Sequence, residues 1–199
     1  MSIEEEVNIA TAQDNARRSA ASMLASLPAR LQKDEDRIAA QLQRHKGNAF
    51  AKITVLHDLL NAFGAAMAPF TACKAGCDAC CHYNVSLFPI EARYIEHFAG
   101  HKQRGDPLPA QDFHGQPCPF LKEGRCGIYN ARPISCRLHV AFTKTAYWCS
   151  PARSSEGQFQ QIDLTGIREA LVDVASASGG VAHTDIRQVF GVPARWTAT

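Results

Sequence analysis

Apolar positions recur at helical spacing through residues 1–70. Ile3, Val7 and Ala10, then Met23, Leu24 and Leu27, mark a first helix that Pro28 should break. Leu31, Ile38 and Leu42 predict a second, ending near Gly47. Phe50, Ile53, Leu56, Leu60, Phe63 and Met67 form the clearest stripe, with Asn48 as a candidate cap and Pro69 as the stop. That stripe reads as a packing face and not as a ligand surface. From residue 71 the pattern shortens. Tyr83-Asn84-Val85-Ser86-Leu87 alternates like a strand. Pro89 suits a first helical turn, and Ile90, Tyr94, Ile95 and Phe98 predict an amphipathic helix stopped by Gly100. Residues 101–117 read as a loop. Residues 120–129 predict a hairpin turning near Glu123-Gly124. Pro133 should open a short helix carrying Cys136, Arg137 and Val140. After a polar linker, Leu164, Ile167, Leu171 and Val174 mark a helix stopped by Gly179-Gly180, and Thr184-Asp185 can cap a further turn. The expected fold is mainly α, with a small cysteine-rich α+β core built on a short strand and one hairpin. It divides into an N-terminal helical extension (1–70), a cysteine segment (71–151) and a C-terminal helical segment packing on the rest (152–199).

Composition narrows the classes. The chain has 199 residues, 46% hydrophobic and 20% charged, so it can bury a core and is not a disordered tail. A formal net charge of +2 gives no indication of a nucleic-acid partner or a membrane surface. Counting unbroken apolar runs, no membrane-spanning helix is expected. The N-terminus, Met-Ser-Ile-Glu-Glu-Glu, is acidic where a secretion signal is basic and then apolar, so a cytoplasmic location is expected.

The cysteines change the picture most. All eight lie in one stretch: Cys73, Cys77, Cys80, Cys81, Cys118, Cys126, Cys136 and Cys149. Thiols used as small core residues would scatter. Disulfides belong to small secreted chains, and a chain of this length needs no staples. Metal is the favoured reading, making 71–151 a metal-binding domain. In Cys73-Lys-Ala-Gly-Cys77-Asp-Ala-Cys80-Cys81, the Cys-x-x-Cys spacing lets two thiolates face one ion from a tight turn. Adjacent Cys80 and Cys81 point apart in extended chain, so they serve two centres or one of them bridges. The hairpin should bring Cys118 and Cys126 together, and the helix opened at Pro133 should favour the Cys136 thiolate. Cys149 follows a stretch with no turn chemistry aimed at the cluster and ranks last. Lys74, Arg125, Arg132 and Arg137 lie beside these cysteines and can offset thiolate charge. Ordinary surface pairing is the alternative for them.

The combined pattern resembles the YkgJ-type cysteine-cluster family. It runs Cys-x3-Cys-x2-Cys-Cys, Cys-Pro-Phe-Leu, Gly-x-Cys-x-Ile-Tyr and Arg-Pro-x-x-Cys-Arg. The resemblance covers about residues 71–151. It implies a zinc- or iron-chelating domain with Cys73, Cys77, Cys80, Cys81, Cys118, Cys126 and Cys136 as metal ligands, joined by Cys149. Tyr129, Arg132, Pro133 and Arg137 match its remaining positions. The first gap here is one residue longer than in the shortest form of the motif.

Other candidates are His82, His97, His101, His114 and His139, each read first as a surface or packing residue, and Glu91, explained by the first turn of its helix or, alternatively, as an oxygen ligand for iron. There is no phosphate loop, Gly-x-Ser-x-Gly elbow or His-Glu-x-x-His. The expectation is a protein that chelates zinc through its cysteine cluster in a structural or sensory role. An iron or iron–sulfur enzyme of redox or modification chemistry and a thiol redox or metal-handling protein are the alternatives. The expected partner is a metal ion; a protein partner cannot be named from the sequence.

Overall fold

The computed structural model describes residues 7–193. Ile3 and the acidic N-terminal residues lie outside that range. Three helices come first: α1 (Ile9–Ser26), α2 (Ala29–Arg44) and α3 (Ala49–Met67). Pro28 sits at the N-cap of α2, which ends at Arg44, a little before Gly47. Asn48 caps α3 by accepting from the Ala51 N–H at 3.0 Å. A 3₁₀ turn, Ala68–Phe70, carries Pro69 past its end.

The α3 stripe is core. Ile53, Leu56, Leu60, Phe63 and Met67 are buried, and Phe50 packs at the margin. By length and composition alone, Ala49–Phe70 is long and apolar enough to cross a membrane. A count of unbroken apolar runs passes over it. Polar residues such as Lys52, Asp58 and Asn61 interrupt the run without lowering its mean enough. In α1 the buried face also differs from the expected one. Ala12, Ala16, Ala20 and Met23 are buried, whereas Val7, Ala10 and Leu24 are exposed. Small side chains four apart let this helix approach its neighbours closely, and a search for large apolar residues overlooks them.

Two antiparallel strand pairs and further helices complete the fold. β1 (Ser86–Leu87) is shorter than the alternation of Tyr83–Leu87 suggests. Its partner is β4 (Thr184–Asp185), with Ser86 opposite Asp185 and Leu87 opposite Thr184. α4 (Pro89–Ala99) ends at Gly100 in the left-handed conformation. Its Phe98 is exposed, with its ring edge-on to Phe50 and tilted against Tyr94. β2 (Leu121–Lys122) and β3 (Arg125–Cys126) form the hairpin. Glu123 and Gly124, at φ 49° and 70°, supply the two positive φ angles that its turn requires. α5 (Ile134–Leu138) follows Pro133 but stops before Val140. α6 (Thr165–Ser176) lies against α2 and α3, and α7 (Ile186–Phe190) is capped by Asp185, which accepts from the Arg187 N–H at 2.8 Å.

Helices α1–α6 share one apolar core. Glu35 of α2 helps tie α6 to it by accepting from the Gly166 N–H at 2.6 Å. A second, smaller core joins Val85, Leu87, Ile95, Phe120, Ile128 and Ile186. Cys81, Cys118, Cys126 and Cys136 are packed into that second core.

Candidate metal centre

The first cysteine motif bends as its residues suggest. Gly76 turns the chain at φ 85°, and the Cys77 N–H donates to the Lys74 carbonyl at 3.0 Å. Cys80 and Cys81 lie in a 3₁₀ turn, Ala79–His82, so they are not splayed as in a strand. The Cys81 thiol donates to Cys80 and holds the Cys80 thiol below its ordinary pKa, helped by the charge of Arg132. The same bond raises Cys81.

The second motif repeats one small device. The Phe120 N–H is directed at the Cys118 sulfur and the Ile128 N–H at the Cys126 sulfur, each two residues beyond its cysteine. A backbone N–H aimed at sulfur favours the thiolate, the form that binds metal. The hairpin carries both, with the Leu121 N–H bonded to the Cys118 carbonyl at 3.0 Å and the Gly127 N–H to that of Phe120 at 2.7 Å. The Cys118 N–H donates to the Cys81 carbonyl at 2.7 Å, which fastens the first motif to the second.

The eight thiols are free, and the charge effects among them form two overlapping sets. One holds Cys73, Cys77, Cys80 and Cys149. Burial raises Cys73, and charge on Cys80 and Cys77 adds to it. Burial pushes Cys149 up to about 12, with charge on Cys73, Cys77 and Cys80 contributing. The other holds Cys81, Cys118, Cys126 and Cys136. Burial pushes Cys118 up to about 11, and it raises Cys136 more, with charge on Cys118, Cys80 and Cys126 adding to it. Cys80 interacts with both sets. The sequence offered no turn ahead of Cys149, and the structure has one. A bend at residues 143–146 and the 3₁₀ turn Tyr147–Cys149 return the chain, and Tyr83 Oη donates to the Cys149 carbonyl at 2.7 Å.

Eight soft sulfur donors suit zinc or iron and not magnesium or calcium. The donor chemistry therefore fits a soft metal. Among the described residues, however, no three His, Cys, Asp or Glu side chains already converge on one point as an ion would require.

Arg137 and Arg132 are held near the cluster by contacts of different kinds. Arg137 is buried, not at the surface. It donates to Asn61 Oδ1 at 2.6 Å and to the carbonyls of Asn130 at 2.7 Å and Arg132 at 3.1 Å. Burial, then the charge of Arg132, pulls it down to about 10. Arg132 stacks over Tyr129 at 4.1 Å and lowers the thiols of Cys73, Cys80, Cys126 and Cys136. Lys74 and Arg125 are exposed. Glu91 is buried, and both its oxygens are engaged. They accept from the Phe88 N–H at 2.9 Å and the Ile134 N–H at 2.8 Å, so the carboxylate caps its own helix and the Cys136 helix together. That bonding accounts for Glu91 without a role as an iron ligand.

The histidines make packing contacts. His97 stacks on Phe50, His101 lies against Phe120, and His114 and His139 flank Tyr83. His82 Nδ1 lies 3.3 Å from the Asp78 carbonyl.

Sequence reasoning missed Arg187, whose side chain is fully buried. Its guanidinium donates to the carbonyls of Tyr83 at 3.0 Å, Cys81 at 3.1 Å and Pro117 at 3.2 Å, and to that of Gln116. It also pairs with Asp185 at 3.3 Å. The sole cue in the sequence is a capping aspartate two residues before an arginine in a short apolar helix.

The comparisons with known proteins bear on this segment. Residues 72–154 match the family model of the CxxCxxCC domain, described as a "Putative zinc- or iron-chelating domain". The matched CxxCxxCC segment contains all eight cysteines, in agreement with the resemblance read from the sequence. No curated protein and no solved structure matched the chain. The segment also ends short of Arg187, so residues that clamp the cluster lie beyond the matched domain.

Proposed function

We propose that this protein chelates zinc through its eight cysteine thiolates and that the metal holds the CxxCxxCC segment folded. The observation that carries this reading is the packing of free cysteines from distant segments, Cys81, Cys118, Cys126 and Cys136, against one small apolar core, with Cys80 in the same turn as Cys81. Holding so many thiolates together costs electrostatic repulsion, and a divalent cation offsets it. The N–H groups aimed at Cys118 and Cys126 and the nearby charge of Arg132 support the same chemistry. Two tetrahedral zinc sites use eight thiolates with no remainder. Free thiols also favour a reducing compartment such as the cytoplasm.

The Cys80–Cys81 contact favours a second reading. Cys80 interacts with both sets, as a bridging thiolate or a cluster ligand would, and this supports iron or an iron–sulfur centre. Anaerobic purification, elemental analysis and an absorption spectrum separate the two. The expected result is stoichiometric zinc and a colourless protein. Stoichiometric iron with acid-labile sulfide overturns zinc, and a metal-free, fully folded protein overturns chelation altogether.

A further inference from the structure

We propose that the cleft beside Cys149 binds a small methylated ammonium group. One contribution, the charge on Cys149, rests on thiolate chelation; the others belong to the cleft itself.

The cleft has a volume of about 120 Å³ and lies between the end of α5 and the chain that leads into α6. Its lining is rich in rings. Tyr83 and His139 have ring centres 5.1 Å apart, and those of Trp148 and Phe159 are 5.7 Å apart. The surrounding segment is firmly held. Val140 and Phe142 belong to the main apolar core, Phe159 packs against it, and Trp148 is buried. The site therefore exists before a ligand arrives, as small-molecule sites usually do. A cavity of about 150 Å³ holds benzene, so this one has room for a head group of about four or five heavy atoms.

The polar chemistry of the lining selects the sign of the ligand. Three hydroxyls line the cleft, and each gives its proton to a carbonyl: Tyr83 to Cys149 at 2.7 Å, Thr143 to Thr145 at 2.8 Å and Ser154 to Pro151 at 3.1 Å. Their oxygens keep lone pairs and have no further proton to donate. Among the described residues, none of those lining the cleft is Lys, Arg, Asp or Glu. Arg153 stands over the Tyr147 ring at 4.0 Å, and neither residue is part of the lining. Burial lowers the His139 pKa, so its ring is neutral at physiological pH. An anion finds no charged donor here. A bare ammonium brings three N–H groups that need acceptors, in a space walled largely by carbon. A methylated ammonium has few such groups or none, and its positively charged methyls pack on aromatic rings. The Cys149 thiolate at the edge of the cleft adds attraction for a cation.

The test uses the full chain, loaded with zinc under reducing conditions, and follows choline by proton magnetic resonance. The choline methyl signal should move upfield through ring currents and saturate in the millimolar range. The neutral alcohol in which tert-butyl replaces trimethylammonium should bind at least about ten-fold more weakly, because the cation–π attraction is lost. Phe159→Leu keeps the apolar contact but removes a ring, and it should weaken choline about two- to five-fold. Ser154→Leu fills the cleft and should abolish saturation. Thermal midpoints check that each variant folds; if Ser154→Leu does not, Phe159→Leu decides. Equal binding of choline and the alcohol overturns the proposal, as does choline that fails to saturate or that binds the folded variants as tightly as wild type. Zinc content on the same samples separates this failure from that of chelation. Zinc without choline saturation overturns the cleft alone, and choline saturation without bound zinc overturns chelation alone.

Discussion

Arg187→Met is the sharpest test of how the cluster is held. The substitution keeps most of the side-chain volume and removes the guanidinium. The wild-type group is fully buried and reaches four carbonyls, those of Cys81, Tyr83, Gln116 and Pro117, together with the Asp185 carboxylate. Each hydrogen bond from a charged donor is worth about 1.5–3 kcal/mol, but the contacts share one group and do not add. Two effects reduce the sum. Losing the arginine removes the cost of burying its charge, and Asp185 keeps the N–H groups of Val85 at 2.7 Å and Arg187 at 2.8 Å. Breaking a buried charged pair from one side costs about 3–5 kcal/mol, and that range is the expectation here. Total stabilities run to about 5–15 kcal/mol, so this is a large share. At roughly 2–4 °C per kcal/mol for a chain of this size, the thermal midpoint of the metal-loaded protein should fall by about 10 °C. Arg187→Lys keeps the charge but not the planar fork and should recover only part of the loss. Calorimetry with elemental analysis on the same samples provides the measurement. A midpoint within about 2 °C of wild type, with metal content intact, refutes the clamp.

Two further predictions concern the helices beside the cluster. Glu91→Gln places one amide N–H against a backbone N–H where two oxygens now accept, and it should cost about 1–3 kcal/mol by denaturant midpoint; an unchanged midpoint removes Glu91 as the shared cap of α4 and α5. His57 is buried on α3 against Tyr94, with no hydrogen-bond partner for either ring nitrogen among the described residues, and burial, followed by the charges of Arg137 and Arg132, lowers it to about 3. The unfolded chain takes up a proton near the ordinary value of about 6.5, so this stability is complete above that pH and is lost as pH falls toward 3, with about 2 kcal/mol gone by pH 5. His57→Leu should lack that portion of the slope between pH 7 and pH 5; identical slopes for the two proteins refute the neutral buried imidazole.

The parts of the fold legible in the sequence are those whose partners lie within a few residues. The Asn48 cap, the Pro89-to-Gly100 helix and the Glu123-Gly124 turn each follow from chemistry contained in a short window. What was not legible joins distant segments through main-chain atoms. β1 pairs with a strand from the C-terminal segment, and two residues of alternation cannot name a partner. Glu35, Glu91, Arg137 and Arg187 bond chiefly to backbone N–H or carbonyl groups, which every residue carries and which leave no trace in residue type. The return of the chain at Cys149 was not legible for the same reason, because it depends on a 3₁₀ turn and on Tyr83 donating to a main-chain carbonyl. A charged residue inside a short apolar helix is therefore the signal to follow in such a chain. Burying a charge without a compensating network is costly, so an arginine at such a position implies carbonyls gathered around it, and here those carbonyls belong to the segments that carry Cys81 and Cys118.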